Sequence, residues 1–576
     1  MNKTSKKEAG GKVSRRTFIA ASAAAVPAAA GAMSAVLTAG ADAQTSPGAP
    51  AILKGQRRRN VLFIATDDMC NRLGCYGVPV KSPNLDRLAQ SGVRFDHHYC
   101  QYPLCAPSRT SLMTGMAPDT TKCYDLRTDF RDTIPGTVTL PQLFQKNGYF
   151  TARAGKIYHY NNSSEIGTPG FDDPASWHQM SYPAGYDRTH DEELVTFWAP
   201  AQRHGPGGSA KQRQALMRAR AQRAQQAQTQ WPNSPKAPWR RGGAGPSGIR
   251  ISQDGCTPIL PLSKNGDLGV AIAGYPSEAD DKLITDYMVA ESAICMMDEH
   301  KHEPFFIGSG FFRPHTPFVV PSKYFDMYNV DDIQVPPFDP SELNIAPPIA
   351  YDTKPANYDM SLQQHREAVR AYYAAISFVD AQVGRLVDAL QRMNLAENTT
   401  IVFWADHGYM LGEHGQWEKQ KLFEPSTRVP FIMAGAGVTS SGKPCTRTNE
   451  HLDVYPTLVE LCGLAGAPEH LQGRSLVPLL QNPDTPWDHP AVTQQARGGF
   501  GSARVMGYSI RTERYRYTMW NGGADGEELY DYQNDARELK NLAKDANMAT
   551  LKSGLRSRLE QIAGPRGLRV TASSPA

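Results

Sequence analysis

Two pairs of side chains with metal-ligand chemistry each follow an apolar run of the sequence. The pairs are Asp67 and Asp68, after the run 60–66, and Asp406 and His407, after the run 399–405. Adjacent carboxylates repel each other unless a cation neutralises them, and a hard divalent ion takes oxygen ligands. Because ligands gather at the carboxyl ends of parallel strands, the two pairs together predict one metal site. Either pair alone is also explained by a surface turn.

A third candidate is Cys105, which stands two residues before Pro107 in a segment that ends at Gly115. Proline is common in the first turn of a helix and glycine just after its end, so this segment predicts a short helix. A cysteine at a helix N-terminus meets the positive end of the helix dipole, which favours a thiolate. These residues alone leave two interpretations open, a nucleophilic thiol and an inert buried cysteine.

The chain has nine cysteines. An odd number leaves one cysteine for a special role. Cys70 and Cys75 are close enough in sequence to form a disulfide, but the pairing stays open.

The elements that must position these residues follow from the hydrophobic pattern. Continuous apolar runs predict strands buried on both faces at 60–66, 304–308, 399–405 and 429–434. Periodic patterns predict helices at 85–91, 140–147 and 362–393. Strands that alternate with helices indicate an α/β fold, with a large, mostly parallel sheet sandwiched by helices.

The size of the chain predicts one large domain and a smaller one. We expect a linker at 44–59, a catalytic domain at 60–484 and a smaller C-terminal α+β subdomain at 485–576. In the subdomain the pattern predicts strands at 505–511 and 515–520 and a helix at 551–562.

Residues 1–43 are typical of an export signal. A basic start leads to Arg15 and Arg16, an alanine-rich stretch follows, and Ala41-Asp42-Ala43 fits a cleavage site. The paired arginines resemble a twin-arginine signal. The stretch is only weakly apolar, which disfavours a permanent transmembrane helix, and an uncleaved anchor is the alternative. We therefore expect an exported bacterial protein, periplasmic or secreted, that meets the export machinery and is not stably inserted in a membrane after cleavage.

The charge of the chain excludes one class of partner. The formal net charge is +4 over 576 residues, and the excess of cations in 1–43 accounts for it. The remaining chain has no global basic field, so nucleic acid is not a predicted partner. One segment, 201–250, has eight arginines, two lysines and no acidic residue. It is interpreted either as a solvated insertion or as a basic flap that attracts a polyanionic substrate.

The run Cys105-Ala106-Pro107-Ser108-Arg109, with Thr110 to Gly115, resembles the signature of the type I sulfatases of the alkaline-phosphatase superfamily. In that family the cysteine is oxidised to formylglycine (3-oxoalanine). Five further blocks resemble the family in the same order: 60–68, 118–121, 155–159, 313–318 and 406–419. They are most similar to the iduronate-2-sulfatase branch. The resemblance runs from about residue 58 to the end, with 201–250 as the main unmatched part.

The resemblance implies a sulfuric ester hydrolase with one metal ion. Asp67, Asp68, Asp406, His407 and the modified Cys105 would hold the metal. The family implies Ca²⁺, although a histidine ligand is atypical for so hard an ion. The implied partners are a sulfated carbohydrate and a formylglycine-generating enzyme.

The resemblance also implies roles for the remaining matched residues. Arg109 would hold the formylglycine and offset negative charge, and Lys156 would contact the sulfate. His159 would orient a hydroxyl of the hydrated aldehyde. His315 and Lys419 would face the ester and the leaving oxygen, with His315 as the acid that protonates the alcohol. In the implied reaction one hydroxyl of the hydrate attacks sulfur, and the second later expels sulfate.

Three alternatives remain open from the sequence. A formylglycine-dependent phosphodiesterase or phosphonate monoester hydrolase would use a similar site, although the block 313–315 favours a sulfatase. A non-catalytic glycan-binding protein on the same scaffold is a different class. A metal-independent thiol hydrolase leaves Asp67, Asp68 and Asp406 unexplained. The branch suggests a 2-O-sulfated uronate as substrate, but the exact sugar, endo or exo action and the oligomeric state are not readable.

Overall fold

A computed structural model describes residues 58–162, 165–188, 195–198, 250–251, 258–259, 272–498 and 505–566. The expected signal at 1–43, nearly all of the linker at 44–59 and nearly all of the basic segment 201–250 lie outside the described residues.

The described residues form nineteen strands, which include those predicted from the apolar runs. In chain order they are Asn60–Asp67 (β1), Gly92–Tyr99 (β2), Phe150–Gly155 (β3), Gln179–Ser181 (β4), Val195–Trp198 (β5), Arg250–Ile251 (β6), Pro258–Ile259 (β7), Ile272–Ser277 (β8), Phe305–Pro314 (β9), Phe318–Pro321 (β10), Thr399–Ala405 (β11), Met410–Leu411 (β12), Trp417–Glu418 (β13), Phe431–Gly435 (β14), Lys443–Glu450 (β15), Ala491–Arg497 (β16), Val505–Arg511 (β17), Tyr515–Trp520 (β18) and Glu527–Asp531 (β19). Each of the four strands predicted for the large sheet is present. Three lie within two residues of their expected bounds, and β9 begins as expected but continues to Pro314 rather than ending at 308.

An eight-stranded sheet forms the centre of the molecule, in the order β15-β2-β14-β11-β1-β9-β3-β4. Neighbouring strands are parallel except for β14, which is antiparallel to β2 and β11. The predicted α/β fold with a mostly parallel sheet is therefore confirmed. The register pairs Thr66 of β1 with Ala405 of β11, so the two candidate metal-ligand pairs leave the sheet side by side.

Helices cover both faces of this sheet. The α-helices of the described residues, on this sheet and elsewhere, are Pro83–Gln90, Cys105–Thr114, Pro118–Thr121, Phe130–Thr133, Leu140–Lys146, Thr285–Glu299, Ser322–Phe325, Leu362–Arg392, Glu424–Thr427, Val454–Cys462, Val477–Gln481 and Ala549–Arg566. We call Cys105–Thr114 the cysteine helix and Leu362–Arg392 the long helix. A capping box between Ser361 and Gln364 starts the long helix. In the part of the chain that the structure describes, no helix is both long and apolar enough to cross a membrane.

The side chains of β1 show why its sequence is apolar throughout. Leu62 and Ile64 pack in the core that includes the long helix. Val61 and Phe63 pack in the core on the other side, with Leu112 of the cysteine helix. Each face of the strand is buried under a helical layer, which removes the polar alternation of a half-exposed strand.

The C-terminal part forms a second sheet, with β16, β17, β18 and β19 antiparallel in that order. The helix Ala549–Arg566 packs on it through Leu555 and Leu559. The strands 505–511 and 515–520 are as predicted, and the predicted helix at 551–562 lies within the observed one. This smaller α+β unit is also as expected. Cys70 and Cys75 are free thiols.

Candidate active site

The floor of the site is the end of two parallel strands. Asp67 is the last residue of β1, and Asp406 follows β11. The Asp406 amide donates to the carbonyl of Thr66 at 3.3 Å. The Asp68 amide donates to Asp406 Oδ1 at 3.1 Å. All three carboxylates are fully buried, so the β1–β11 register itself brings together the two candidate pairs.

Cys105 is the first residue of the cysteine helix, which ends as expected before Gly115, at a φ of 69°. Its Sγ lies 3.4 Å from Asp67 Oδ1, 3.3 Å from His407 Nε2 and 3.4 Å from Lys419 Nζ. Burial, followed by the charge of Asp67, raises the pKa of the thiol well above its usual value. In the protein alone, burial and the charge of Asp67 therefore outweigh the effect of the helix N-terminus on this thiol.

Arg109 lies one turn further along the cysteine helix and is fully buried. Its Nε donates to Asp406 Oδ2 at 2.8 Å, and Nη2 donates to the Thr66 carbonyl at 3.0 Å. Its Nη1 donates to the carbonyls of Lys156, at 2.6 Å, and Ile157, at 3.1 Å. The guanidinium thus fastens the ends of β1 and β11 to the segment after β3 and compensates buried negative charge.

Two donors hold one oxygen of Asp67. Lys156 Nζ lies 2.5 Å from Asp67 Oδ2, and Asn162 Nδ2 donates to the same oxygen at 2.9 Å. Burial acts to raise the pKa of Asp67, but the charges of Lys156 and other cations outweigh it and hold the pKa well below its usual range. Asn162 was not predicted from the sequence. Its only signal there is its place three residues after His159.

Asp68 has different neighbours. Lys419 Nζ donates to its two oxygens at 2.7 and 3.1 Å, and His315 Nε2 lies 3.7 Å from Oδ2. Burial raises the pKa of Asp68 to about 8. Lys419 opposes this shift, while the charges of Asp67 and Asp406 add to it. The positive charge near Asp68 is therefore too small to offset burial and the two neighbouring carboxylates.

The three candidate histidines are buried and differ in what their rings face. His407 Nδ1 lies 2.9 Å from the Gly408 carbonyl, which leaves Nε2 to face Asp68 Oδ1 at 3.3 Å. Burial lowers the pKa of His407 to about 4, so its ring is neutral, as a metal ligand must be.

His315 and His159 also lie in this region. His315 Nδ1 lies 2.5 Å from the Thr316 carbonyl. Burial, together with Lys419, lowers its pKa well below the usual value. His159 Nε2 lies 3.3 Å from Asn161 Oδ1, and its buried Nδ1 has no hydrogen-bond partner among the described residues. Of the predicted residues, His159 is the one that the structure places beside Asn161 rather than against Cys105 or a carboxylate.

The donor set fits a divalent cation. Ligand atoms of Asp67, Cys105, Asp406 and His407 all lie within 4.8 Å of one another, and an overlapping group joins Asp68, Cys105 and His315. Three crowded carboxylates with a neutral imidazole match the oxygen-rich chemistry of such ions. The raised pKa of Asp68 is the sign of negative charge that a cation would relieve.

The chain is similar to known proteins in sequence and in fold. The family model described as Sulfatase matches residues 59–464, and that described as N-sulphoglucosamine sulphohydrolase, C-terminal, matches residues 412–564. A protein named Sulfatase from Formosa agariphila is 30% identical, over 84% of this chain and 83% of its own. Mouse Iduronate 2-sulfatase is 29% identical, over 86% of this chain and 93% of its own. The crystal structure of the phosphonate monoester hydrolase of Agrobacterium radiobacter superimposes with a TM-score of 0.63 at 23% identity, covering 88% of this chain and 96% of that one.

Proposed function

The chain belongs to the sulfatase family, and from that premise we propose which residues carry its chemistry, which sugar it acts on and where it works. As a sulfuric ester hydrolase it cleaves a sulfate monoester of a sugar with water, which releases an alcohol and sulfate. The ester resists attack because its oxygens are anionic, so catalysis needs fixed positive charge. The observation that carries the proposal is the convergence of Asp67, His407 and Lys419 on Cys105, each within 3.4 Å of Sγ.

Asp67, Asp68, Asp406 and His407 would hold one Ca²⁺, with the modified residue 105 as a further ligand. Carboxylate oxygens are the ligands that this ion prefers, and the imidazole is the atypical member of the set. When present, the ion would neutralise charge on the sulfate, and the formylglycine made from Cys105 would supply the attacking hydroxyl.

Three cations of the chain would complete the charge balance. Arg109 is already committed to Asp406 and to three carbonyls, so its charge is permanent and its position fixed. Lys156 and Lys419 each hold a carboxylate, yet an ammonium group has three protons to donate. Each lysine can therefore also donate to a sulfate oxygen, Lys156 from the side of Asp67 and Lys419 from the side of Asp68.

His315 would protonate the leaving alcohol. Its Nδ1 faces the Thr316 carbonyl, so Nε2 is the nitrogen that faces the site, near Asp68. Burial and Lys419 keep the ring neutral before substrate binds, because they lower its pKa. An anionic ester beside the ring raises the pKa and lets Nε2 carry the proton. His159, with its unpartnered Nδ1, would orient a hydroxyl of the hydrated residue 105.

The proposed substrate is a 2-O-sulfated uronate in a glycosaminoglycan chain. Support comes from the similarity to mouse Iduronate 2-sulfatase over most of both chains. The basic segment 201–250, with ten cations and no acidic residue, would attract such a polyanion.

A second candidate is a formylglycine-dependent phosphonate monoester hydrolase or phosphodiesterase. The phosphonate monoester hydrolase of Agrobacterium radiobacter has the same fold as this chain, and the charges of the site suit either ester. The ratio of kcat/KM on matched aryl sulfate and phosphate diester substrates separates the two, and we expect the sulfate to be preferred.

We also propose that the chain is exported after its modification. The twin-arginine-type signal at 1–43 would direct a folded protein to the periplasm or beyond. Because that route carries folded chains, a formylglycine-generating enzyme would act on Cys105 in the cytoplasm, before export. Residues 60–484 would form the catalytic domain and residues 485–576 the smaller one.

The test combines mass spectrometry with a substrate panel. In protein from its native host, the peptide that contains Cys105 should have the mass of formylglycine. Desalted, modified protein supplied with CaCl₂ should then release sulfate fastest from oligosaccharides with a 2-O-sulfated uronate. An unmodified thiol throughout, with no release of sulfate from any sugar, would instead favour a glycan-binding protein on this scaffold.

A further inference from the structure

The backbone of Asp68 adopts the left-handed conformation, which is uncommon for residues other than glycine, although aspartate tolerates it better than most. Its φ is 62°, in the left-handed region that side chains with a Cβ rarely occupy. This conformation turns the chain directly after β1, so that Asp67 and Asp68 both face the site. A turn of this kind persists only when surrounding groups hold it.

One hydroxyl holds this turn from the long helix. Tyr372 is fully buried, and its hydroxyl donates to the Asp68 carbonyl at 2.7 Å. The hydroxyl oxygen of Tyr372 also accepts a hydrogen bond from the Cys70 amide at 2.9 Å. The two peptide groups that flank Met69 are thus both hydrogen-bonded to one hydroxyl oxygen. The Asp68 amide, on the other side, is fixed to Asp406.

The ring of Tyr372 reaches two more parts of the site. It stacks on Tyr409, with ring centroids 5.4 Å apart and planes at 17°, two residues after His407. It meets Phe318 edge to face, at 5.8 Å and 87°, three residues after His315. The hydroxyl and the ring therefore contact all three segments that carry Asp68, His407 and His315.

We propose that Tyr372 is a positioning residue of the metal site. Its hydroxyl fixes Asp68 through the main chain, and its ring sets the spacing of the segments that carry His407 and His315. Because a metal ion binds more tightly to ligands that are already in place, the loss of this hydroxyl would weaken metal affinity more than it lowers the stability of the fold. The role rests on the proposed metal site.

The long helix offers a matched control in the next residue. Tyr373 is also buried, and its hydroxyl accepts a hydrogen bond from Arg72 Nη1 at 3.1 Å. Its ring packs on Tyr328, at 5.7 Å. Tyr373→Phe therefore removes the same group from the same helix while the contacts of Asp68 stay intact.

The experiment measures metal affinity rather than turnover. Full-length wild type, Tyr372→Phe and Tyr373→Phe are stripped with EDTA and titrated with CaCl₂ by calorimetry, and the thermal midpoint of each stripped protein is recorded. We expect Tyr372→Phe to raise the Kd for Ca²⁺ about tenfold, the usual effect of losing a supporting hydrogen bond behind a ligand. Tyr373→Phe should stay within about twofold of wild type, with a similar thermal midpoint.

A second variant keeps the role testable if Tyr372→Phe folds poorly. Phe318→Leu leaves the Tyr372 hydroxyl in place and removes the edge contact of its ring, so it should weaken Ca²⁺ binding by a smaller factor than Tyr372→Phe. Equal Kd values for wild type and Tyr372→Phe, or equal losses in the two tyrosine variants, would overturn the positioning role alone. A wild type that binds no divalent ion would overturn the metal site and this role with it.

Discussion

Asp67 and Asp68 are adjacent and equally buried, yet the pKa values of their carboxyl groups are shifted in opposite directions. Burial raises the pKa of both. At Asp67 the charges of Lys156, Arg109 and Lys419 outweigh burial and hold the pKa well below its usual range. At Asp68 the charge of Lys419 does not, and the pKa rises to about 8. The number of cationic neighbours, rather than burial, decides which carboxylate is always ionised.

This difference divides the site into two sides with separate tasks. The Asp67 side is formed by Asp67, Arg109, Lys156 and Asn162, and the Asp68 side by Asp68, His315, His407 and Lys419. Cys105 lies between the two sides and contacts both. The first has its charges paired in the protein alone, so we expect it to be a rigid support for the proposed nucleophile at residue 105. The second has a carboxyl group that becomes fully ionised only beside an additional cation. We therefore expect variants on the two sides to fail in different ways.

Cys105→Ser should have the largest effect, since it changes the nucleophile and leaves both sets of charges in place. Serine lacks the second hydroxyl of a hydrated aldehyde, so turnover of a sulfate ester should fall by about 1000-fold or more. The measurement is sulfate release under conditions that saturate wild type. Ca²⁺ binding by calorimetry is the control and should change little. Full turnover by this variant would contradict the formylglycine assignment.

Lys156→Met and Lys419→Met separate the two sides. Each should lower kcat/KM about 100-fold, because each removes a positive charge beside the sulfate. The two substitutions should differ in their effect on the pH dependence of Ca²⁺ binding. Lys419 is the main group that opposes the raised pKa of Asp68, so only Lys419→Met should shift the pH dependence of Ca²⁺ binding to higher pH. The same shift in both variants would remove the division into sides.

The pH dependence of metal affinity tests the Asp68 side directly. Near neutral pH the metal-free protein holds a proton on Asp68, whose pKa is about 8, and Ca²⁺ must displace it. Affinity should therefore rise by up to about tenfold per unit between pH 6 and 8. Asp68→Asn is the control and should give weaker binding with a flatter pH profile. A flat profile for wild type would show that Asp68 is ionised without metal.

The raised pKa of Asp68 also affects the free energy of unfolding. The resulting pH dependence is opposite in sign to that of a carboxylate in an ordinary salt bridge, whose pKa is lowered. A carboxyl group whose pKa is raised in the folded state binds a proton more tightly there than in the unfolded chain. The stability that it contributes is present at low pH and is lost as the pH rises towards 8. Thermal unfolding of EDTA-treated protein at pH 6 and pH 8 measures this loss, and added CaCl₂ should offset it.

Much of the fold and the site was predictable because it depends on local pattern. The continuous apolar runs of β1 and β11 identify buried strands, and acidic residues at their ends place the floor of the site. The resemblance then selected Lys156, His315 and Lys419, which no spacing rule would have selected and which the structure places beside Asp67 or Asp68. These residues lie in loops, far apart in sequence, and each singly resembles a surface residue.

Three features of the site were not predicted from the sequence, because they depend on the backbone conformation and side-chain directions of the folded chain. Tyr372 is one of many apolar or aromatic residues on a 31-residue helix, and its periodicity indicates only that it is buried. The left-handed conformation of Asp68 has no sequence signal, since aspartate is neither required nor excluded there. The opposite acidities of Asp67 and Asp68 depend on which lysine reaches which oxygen, a property of the folded site alone.

Asn162 gives the smallest expected effect and the finest test of the Asp67 side. It shares Asp67 Oδ2 with Lys156, so Asn162→Ala leaves that oxygen with a charged partner and should lower kcat/KM only about tenfold, as for one hydrogen bond to a charged group. Asn162→Asp should be worse, because it brings a second carboxylate to Asp67 and opposes its low pKa. The loss in Asn162→Asp should ease at lower pH, whereas that in Asn162→Ala should not. Both variants are measured as pH profiles of kcat/KM on one sulfated sugar. Identical profiles would show that Asn162 fills space beside Asp67 without affecting its pKa.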